Sequence, residues 1–271
     1  MNKPIRITAI LLVLAVAIFP LYWMLVTSLT PSAAMFEARP HLLPHLSQLS
    51  AYLEAIQSIP IGLWLRNSAV IAAGTTALSL ALALFPAYAL SRFRFRGRGA
   101  FGLLLFATQM LPEAMLVVPL FALYSQAGLI NTLLGLILAN TAFTVPVITW
   151  MLKSAIDGVP IDIEEAARID GCGRVRIVLS VVLPLVAPSL AAAAVIAFFH
   201  GWNEYILATT LITQESLRPA SVGLASFVGE LSTPIHSVMA VALIYTAPAI
   251  IFYLFVQRYV VGGMTAGSVK G

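Results

Sequence analysis

Long apolar runs alternate with short polar pieces along the whole chain. Counted at about 20 apolar residues per crossing, six runs qualify: residues 7–29, 67–90, 100–123, 132–153, 184–212 and 237–257. Hydrocarbon offers the backbone no water, and a helix satisfies its own N–H and C=O groups, so each run reads as a helix. The pattern predicts an all-α membrane protein with six transmembrane helices. Lys3 and Arg6 before the first run and Ser32-Ala33-Ala34 after it outline a secretory signal. The run is too long for a signal's apolar core and further spans follow, so an uncleaved helix is expected.

The connecting pieces are less uniform. Residues 30–62 are too polar to span and are broken by Pro31, Pro40, Pro44 and Pro60. Within them Leu46, Leu49, Leu53 and Ile56 recur at helical spacing, while Ser50, Glu54 and Gln57 face the other way. This fits a short helix lying on the membrane surface, or a solvated connector with a few anchors. Pro20, Pro86, Pro112, Pro119, Pro146, Pro188 and Pro248 fall in the membrane segments and should kink them. No internal repeat is evident, so the inverted repeat of many secondary transporters is missing.

Composition agrees with the pattern: 60% of the 271 residues are hydrophobic and 10% charged, with mean hydropathy +0.96. An ordinary soluble protein is excluded. The net charge of +4 points to topology rather than to nucleic acid, because the basic residues sit in loops beside apolar spans. Twelve of the fifteen (Lys3, Arg6, Arg92, Arg94, Arg96, Arg98, Lys153, Arg168, Arg174, Arg176, Arg258 and Lys270) fall on one side of the six-span topology. Arg39, Arg66 and Arg218 fall on the other. The positive-inside rule then makes both termini and the loop 154–183 cytoplasmic. Cys172 is the sole cysteine, which rules out an intrachain disulfide.

That loop carries the most information. Asp162 and Glu165 have the spacing of a capping box, and Glu164 and Arg168 that of an i, i+4 ion pair. Gly171 and Gly173 should interrupt the helix, which resumes from Arg174 to Val182 before Pro184 opens the next span. Ala166, Ala167, Ile169, Val175 and Val178 would give the bent projection a small apolar surface with a charged rim. Docking into another protein's groove and resting on the membrane interface both remain open on these grounds.

Glu165-Ala166-Ala167, three residues, Gly171, nine residues, Val181, one residue and Leu183-Pro184 together match a longer pattern. The segment resembles the EAA loop of binding-protein-dependent ABC importer permeases, with Val181 in place of the usual Ile. Asn67-Ser68, the run Ala87 to Gly97, the run Gly128 to Thr132, Trp202-Asn203-Glu204 and the tail Gly262 to Gly271 resemble the sugar-importer branch, in particular the smaller permease of maltose-type systems. The resemblance implies a type I ABC importer permease fold with a cytoplasmic coupling helix. It divides the chain into a first helix and extracytoplasmic segment (1–66), a permease core (67–257) and a cytoplasmic tail (258–271). Glu164, Glu165, Ala166, Ala167, Asp170, Gly171, Leu183 and Pro184 would then couple to a separate ATPase. Arg176 and Ile156 depart from the usual residue types, and both would touch that ATPase. The implied partners are a second homologous permease, two ABC ATPase subunits, an extracytoplasmic solute-binding protein and lipid. The tail would reach between the ATPases, and the cargo would be a carbohydrate or related polar metabolite crossing the inner membrane of a bacterium or archaeon.

Ionisable groups inside the spans need a reason, since a carboxylate at mid-membrane costs about 2.5–3.5 kcal/mol on insertion scales. His200, Asn203, Glu204 and Leu207 have helical spacing and are candidates to line the translocation path. Glu113, after Pro112, is expected to be structural. Phe106, Phe121, Tyr124 and Trp150 are expected to pack in the core or against lipid. No G-x-x-x-x-G-K-[ST] occurs, so this chain is expected to bind no cofactor and to be no enzyme, ATP and Mg belonging to the partner ATPase. Metal-ligand spacings and a nucleophile–base pair are missing too, so no metal or catalytic site is expected. The competing reading is a secondary transporter or channel that relays ions through Glu113, His200 and Glu204.

Overall fold

The structure, a computed structural model, describes residues 3–31, 34–37, 42–45, 49–229 and 234–266. Thirteen helices follow one another in the described residues: α1 (Lys3–Ser28), α2 (Ser50–Ser58), α3 (Ile61–Arg92), α4 (Arg98–Thr108), α5 (Glu113–Gln126), α6 (Leu133–Asp157) and α7 (Ile161–Ile169). Then come α8 (Arg174–Ile177), a π-helical turn at Val178–Val182, α9 (Leu183–Leu185), α10 (Ala187–Trp202), α11 (Ile206–Leu211), α12 (Ala220–Gly229) and α13 (Ile235–Ala266). The chain is all-α, as the apolar pattern predicts.

Four helices, α1, α3, α6 and α13, are long and apolar enough to cross a membrane unbroken. The third and fifth expected spans are instead bent pairs. α4 and α5 meet at 98°, and the segment Arg174–Leu185 meets α10 at 85°; counting each pair once gives six. Proline accounts for both breaks. Pro112 has no N–H and disfavours helical backbone at Leu111, so α4 stops and α5 restarts at Glu113. Val186 leaves the helical region beside Pro188, which sits in the first turn of α10. The expected helix 184–212 is also too long: α10 ends at Trp202, and α11 is a separate element.

α3 and α6 form the spine, with α10 packed across both. Small residues set this closeness: Ala72, Ala83, Ala87, Ala139, Ala193 and Ala197 are buried, and a Cβ on Gly201 would stand 3.0 Å from Ala72 Cα. Ser79 and Thr144 share a hydrogen bond of 2.5 Å across the α3–α6 seam. Tyr88, Ile148, Leu152, Ile156, Ile177 and Val182 fill the core at the end that carries α7. A second core at the other end holds Ile71, Tyr124, Leu136, Leu207, Leu211 and Val222. There Asn67 Nδ2 donates to the carbonyls of Ser216 and Arg218, both at 3.0 Å, and Ser68 Oγ accepts from Ala220 N at 2.9 Å. Asn131, at φ +57°, accepts from the backbone of Thr213 and Gln214 and closes the same end.

α1 is largely uncovered and presents Leu12, Val13 and Val16 outward. α2 packs against α13, with Leu49, Leu53 and Ile56 exposed and Tyr52 hydrogen-bonded to Ser28 at 2.6 Å. Leu46 of that expected helix lies outside the described residues, as do Ser32, Ala33, Arg39 and Pro40. So does Lys270: of the tail Gly262 to Gly271, residues 262–266 continue α13 and the rest lie outside them.

Candidate functional site

The loop around α7 is built onto the ends of α3 and α6. α6 stops at Asp157 with Gly158 as its cap, and Pro160 leads into α7. The capping box expected at Asp162 and Glu165 does not form, because α7 starts at Ile161 with Pro160 at the cap and no side-chain cap bond. Asp162 and Glu164 instead lie in the first turn, where the helix dipole favours negative charge. α7 ends in a Schellman turn: Cys172 N donates to Ala167 O at 2.9 Å and Gly171 N to Arg168 O at 3.0 Å. This turn requires the left-handed backbone that Gly171 adopts at φ +81°. The bend predicted at Gly171 is therefore real.

Glu164 does not pair with Arg168. Its side chain is fully buried, with Oε1 accepting from Arg92 Nε at 2.6 Å and Oε2 from the Tyr88 hydroxyl at 2.6 Å. Arg92 Nη2 also donates to Val159 O at 2.8 Å, Ser91 Oγ donates to Asp157 Oδ1 at 2.6 Å, and Lys153 pairs with Asp157 at 2.5 Å. Arg174 stacks over the Phe93 ring, 5.2 Å from its centre. Of the residues expected to couple to an ATPase, Glu165, Ala166, Asp170, Gly171 and Pro184 are exposed. Glu164 and Ala167 are buried and Leu183 is half-buried against the core. The apolar face is also smaller than expected on one side: Val178 points inward, while Ile169 and Val175 are 87% and 60% exposed and are joined by Ile163. Arg176 is exposed, but Ile156 is wholly buried and cannot reach a partner. Tyr88 and Arg92 both lie within the run Ala87 to Gly97, but on sequence grounds Arg92 has a topological role only and Tyr88 none of its own.

The polar residues of the membrane segments gather where the α4–α5 bend meets the joint between α10 and α11. Glu113 opens α5, His200 lies in the last turn of α10, and Glu204 lies in the joint before α11. His200 Nε2 is 3.7 Å from Glu113 Oε1, and one ligand atom of each of the three residues lies within 4.8 Å of the others. The helical stripe expected from His200 to Leu207 does not exist, because α10 ends first and Leu207 is buried in the core. Glu204 instead caps α11, its Oε1 accepting from Leu207 N at 2.7 Å, while Ser221 Oγ donates to its backbone carbonyl. Asn203 is exposed, and its Oδ1 lies 3.0 Å from the Tyr245 hydroxyl. Of the aromatic residues, Tyr124 is buried, whereas Phe106, Phe121 and Trp150 face outward.

Residues 77–265 match the family of binding-protein-dependent transport system inner membrane components. The chain belongs to that family. It is 35% identical over 270 residues to the sulfoquinovosyl glycerol transport system permease protein SmoH of Agrobacterium fabrum, covering 100% of this chain and 95% of that one. It is 33% identical over 274 residues to the trehalose/maltose transport system permease protein MalG of Thermococcus litoralis, covering 100% and 98%. Its fold superposes with a TM-score of 0.79 and 26% identity on a chain of a bacterial ABC transporter involved in the import of the acidic polysaccharide alginate, covering 96% and 98%. The chain is thus a multi-pass membrane permease subunit of the ABC importer class, and the competing secondary-transporter reading falls away.

Proposed function

We propose that this permease forms half of the translocation path for a carbohydrate, pairing with a second homologous permease, two ABC ATPases and an extracytoplasmic binding protein. ATP and Mg²⁺ belong to the ATPases in this reading, and both termini face the cytoplasm. The observation that carries it is the outer face of α7. Glu165, Ala166, Ile169 and Asp170 stand exposed on a short helix stopped by the Gly171 turn, within a chain matched along its length by permeases of sugar transport systems. Such a face has too little apolar area to fold alone and the charged rim that sets register on a partner. ATP-driven closure of the ATPases would move α7 and rock the bundle between inward-open and outward-open. Asn203 and the Glu113–His200–Glu204 group are the candidates to line the path. Co-expression with the candidate ATPase tests the reading: a complex that hydrolyses ATP faster when its binding protein is added is expected. A permease that never retains an ATPase, or moves solute unaided, would overturn it.

A further inference from the structure

A load applied to α7 can leave it by two routes. One is the backbone, through Gly171, α8, the π turn at Val178–Val182 and the 85° bend at Val186 into α10. The other is sideways, through Glu164 into Arg92 and Tyr88 of α3 and through Arg92 into the α6–α7 connection at Val159. The backbone route contains a left-handed glycine, a π-helical turn and a break at Val186, each of which absorbs rotation. The sideways route is short, buried and charge-assisted. Glu164 is fully buried, Arg92 is 8% exposed, and each bond of the set is 2.6–2.8 Å long. Ala167, one turn further on, packs into the same core as Tyr88, Ile156 and Val159.

We infer that Arg92 and Tyr88 are positioning residues for energy coupling: through Glu164 they make α7 one rigid body with α3 and α6, so that ATPase motion enters the bundle through α3 rather than through α10. This rests on the reading of α7 as the ATPase-contacting helix. Arg92 suits the task because its planar fork holds the carboxylate and a carbonyl at once, which a lysine ammonium does not do in fixed geometry. Tyr88 fixes the second carboxylate oxygen, leaving Glu164 no freedom to swing.

The test uses the whole ATPase–permease complex with Cys172→Ala and spin labels on cysteines placed at Arg94, just beyond α3, and Asp162, on α7. Pulsed dipolar spectroscopy compares the nucleotide-free complex with one trapped by Mg-ATP and vanadate. The native clamp predicts the same label separation in both states. Arg92→Met with Glu164→Met, which removes both charges together, predicts a separation that shifts on trapping and a stimulation of ATP hydrolysis by the binding protein reduced roughly fivefold or more. Arg92→Lys, which keeps the charge but not the planar fork, is expected to assemble normally and to retain only part of the stimulation. Should the double variant fail to insert, Tyr88→Phe alone must broaden the distance distribution. A separation that already changes in the native complex, or stays fixed in the double variant or in Tyr88→Phe, overturns the inference. Failure of the ATPase to co-purify with the native chain counts against the underlying reading instead, so the two failures are distinct.

Discussion

The α7 loop and the polar group of Glu113, His200 and Glu204 both bring ionisable side chains together, yet they do so in opposite ways. Around Glu164 every carboxylate oxygen has a donor at 2.6 Å, one of them a guanidinium. Around Glu113 and His200 the nearest approach is 3.7 Å without a hydrogen bond, and His200 Nε2 has no hydrogen-bond partner among the described residues. A saturated network holds one geometry, whereas an unsaturated one leaves room for a proton, a water or a solute group. The first arrangement suits a part that transmits force. The second suits a part past which something moves.

The largest test of this contrast is Glu164→Ala. It removes the carboxylate that Arg92 contacts directly and leaves the largely buried guanidinium only the longer-range field of Asp157, a change that costs up to about 3–5 kcal/mol. Thermal unfolding of the purified complex should show a large drop in midpoint, together with reduced co-purification of the ATPase. Replacing Glu113 by Ala, by contrast, should cost far less, because no hydrogen bond is lost from its side chain among the described residues. Equal losses at the two positions would erase the distinction drawn between the regions.

The spans and the loop were readable before the structure, whereas the contrast between the two polar regions was not, and the reasons are physical. Apolar run length marks the spans because lipid forbids unsatisfied backbone, but it cannot separate a kinked helix from two helices at 98°, since Pro112 is compatible with either. The EAA spacing located the loop and its Gly171 bend. It could not assign Glu164, because the i, i+4 rule sees only Arg168, whereas the true partner is 72 residues away. The same local rule drew a continuous stripe from His200 to Leu207. Glu204 instead turned inward to cap α11, and Glu113 joined His200 from another span, a proximity that only tertiary packing creates.

Gly171→Val is the intermediate test. A β-branched residue at φ +81° is strained by roughly 1–2 kcal/mol, although a Cβ there meets nothing within 4 Å. The strain therefore falls on the Schellman turn and not on packing. Membrane insertion should remain near normal while the exposed tip of α7 changes direction. The expected result is normal abundance with weakened stimulation of ATP hydrolysis by the binding protein; unchanged stimulation would show that the direction of the tip does not matter.

The smallest effect on stability is expected at Glu204, and it separates two jobs held by one side chain. As the cap of α11 it needs only an oxygen acceptor, which glutamine also provides, so Glu204→Gln should leave the unfolding midpoint nearly unchanged, within about 1 kcal/mol. Glu204→Ala removes the acceptor and should cost about 0.5–2 kcal/mol, as lost caps do. Transport divides the outcomes differently. If the carboxylate charge beside Glu113 and His200 serves the path, Glu204→Gln impairs solute-stimulated ATP hydrolysis in a complex that is as stable as the native one. If Glu204 only fastens α11, glutamine behaves as wild type in both assays and alanine alone is defective, which would reduce the polar group of Glu113, His200 and Glu204 to a second, weaker version of the fastening seen around Glu164.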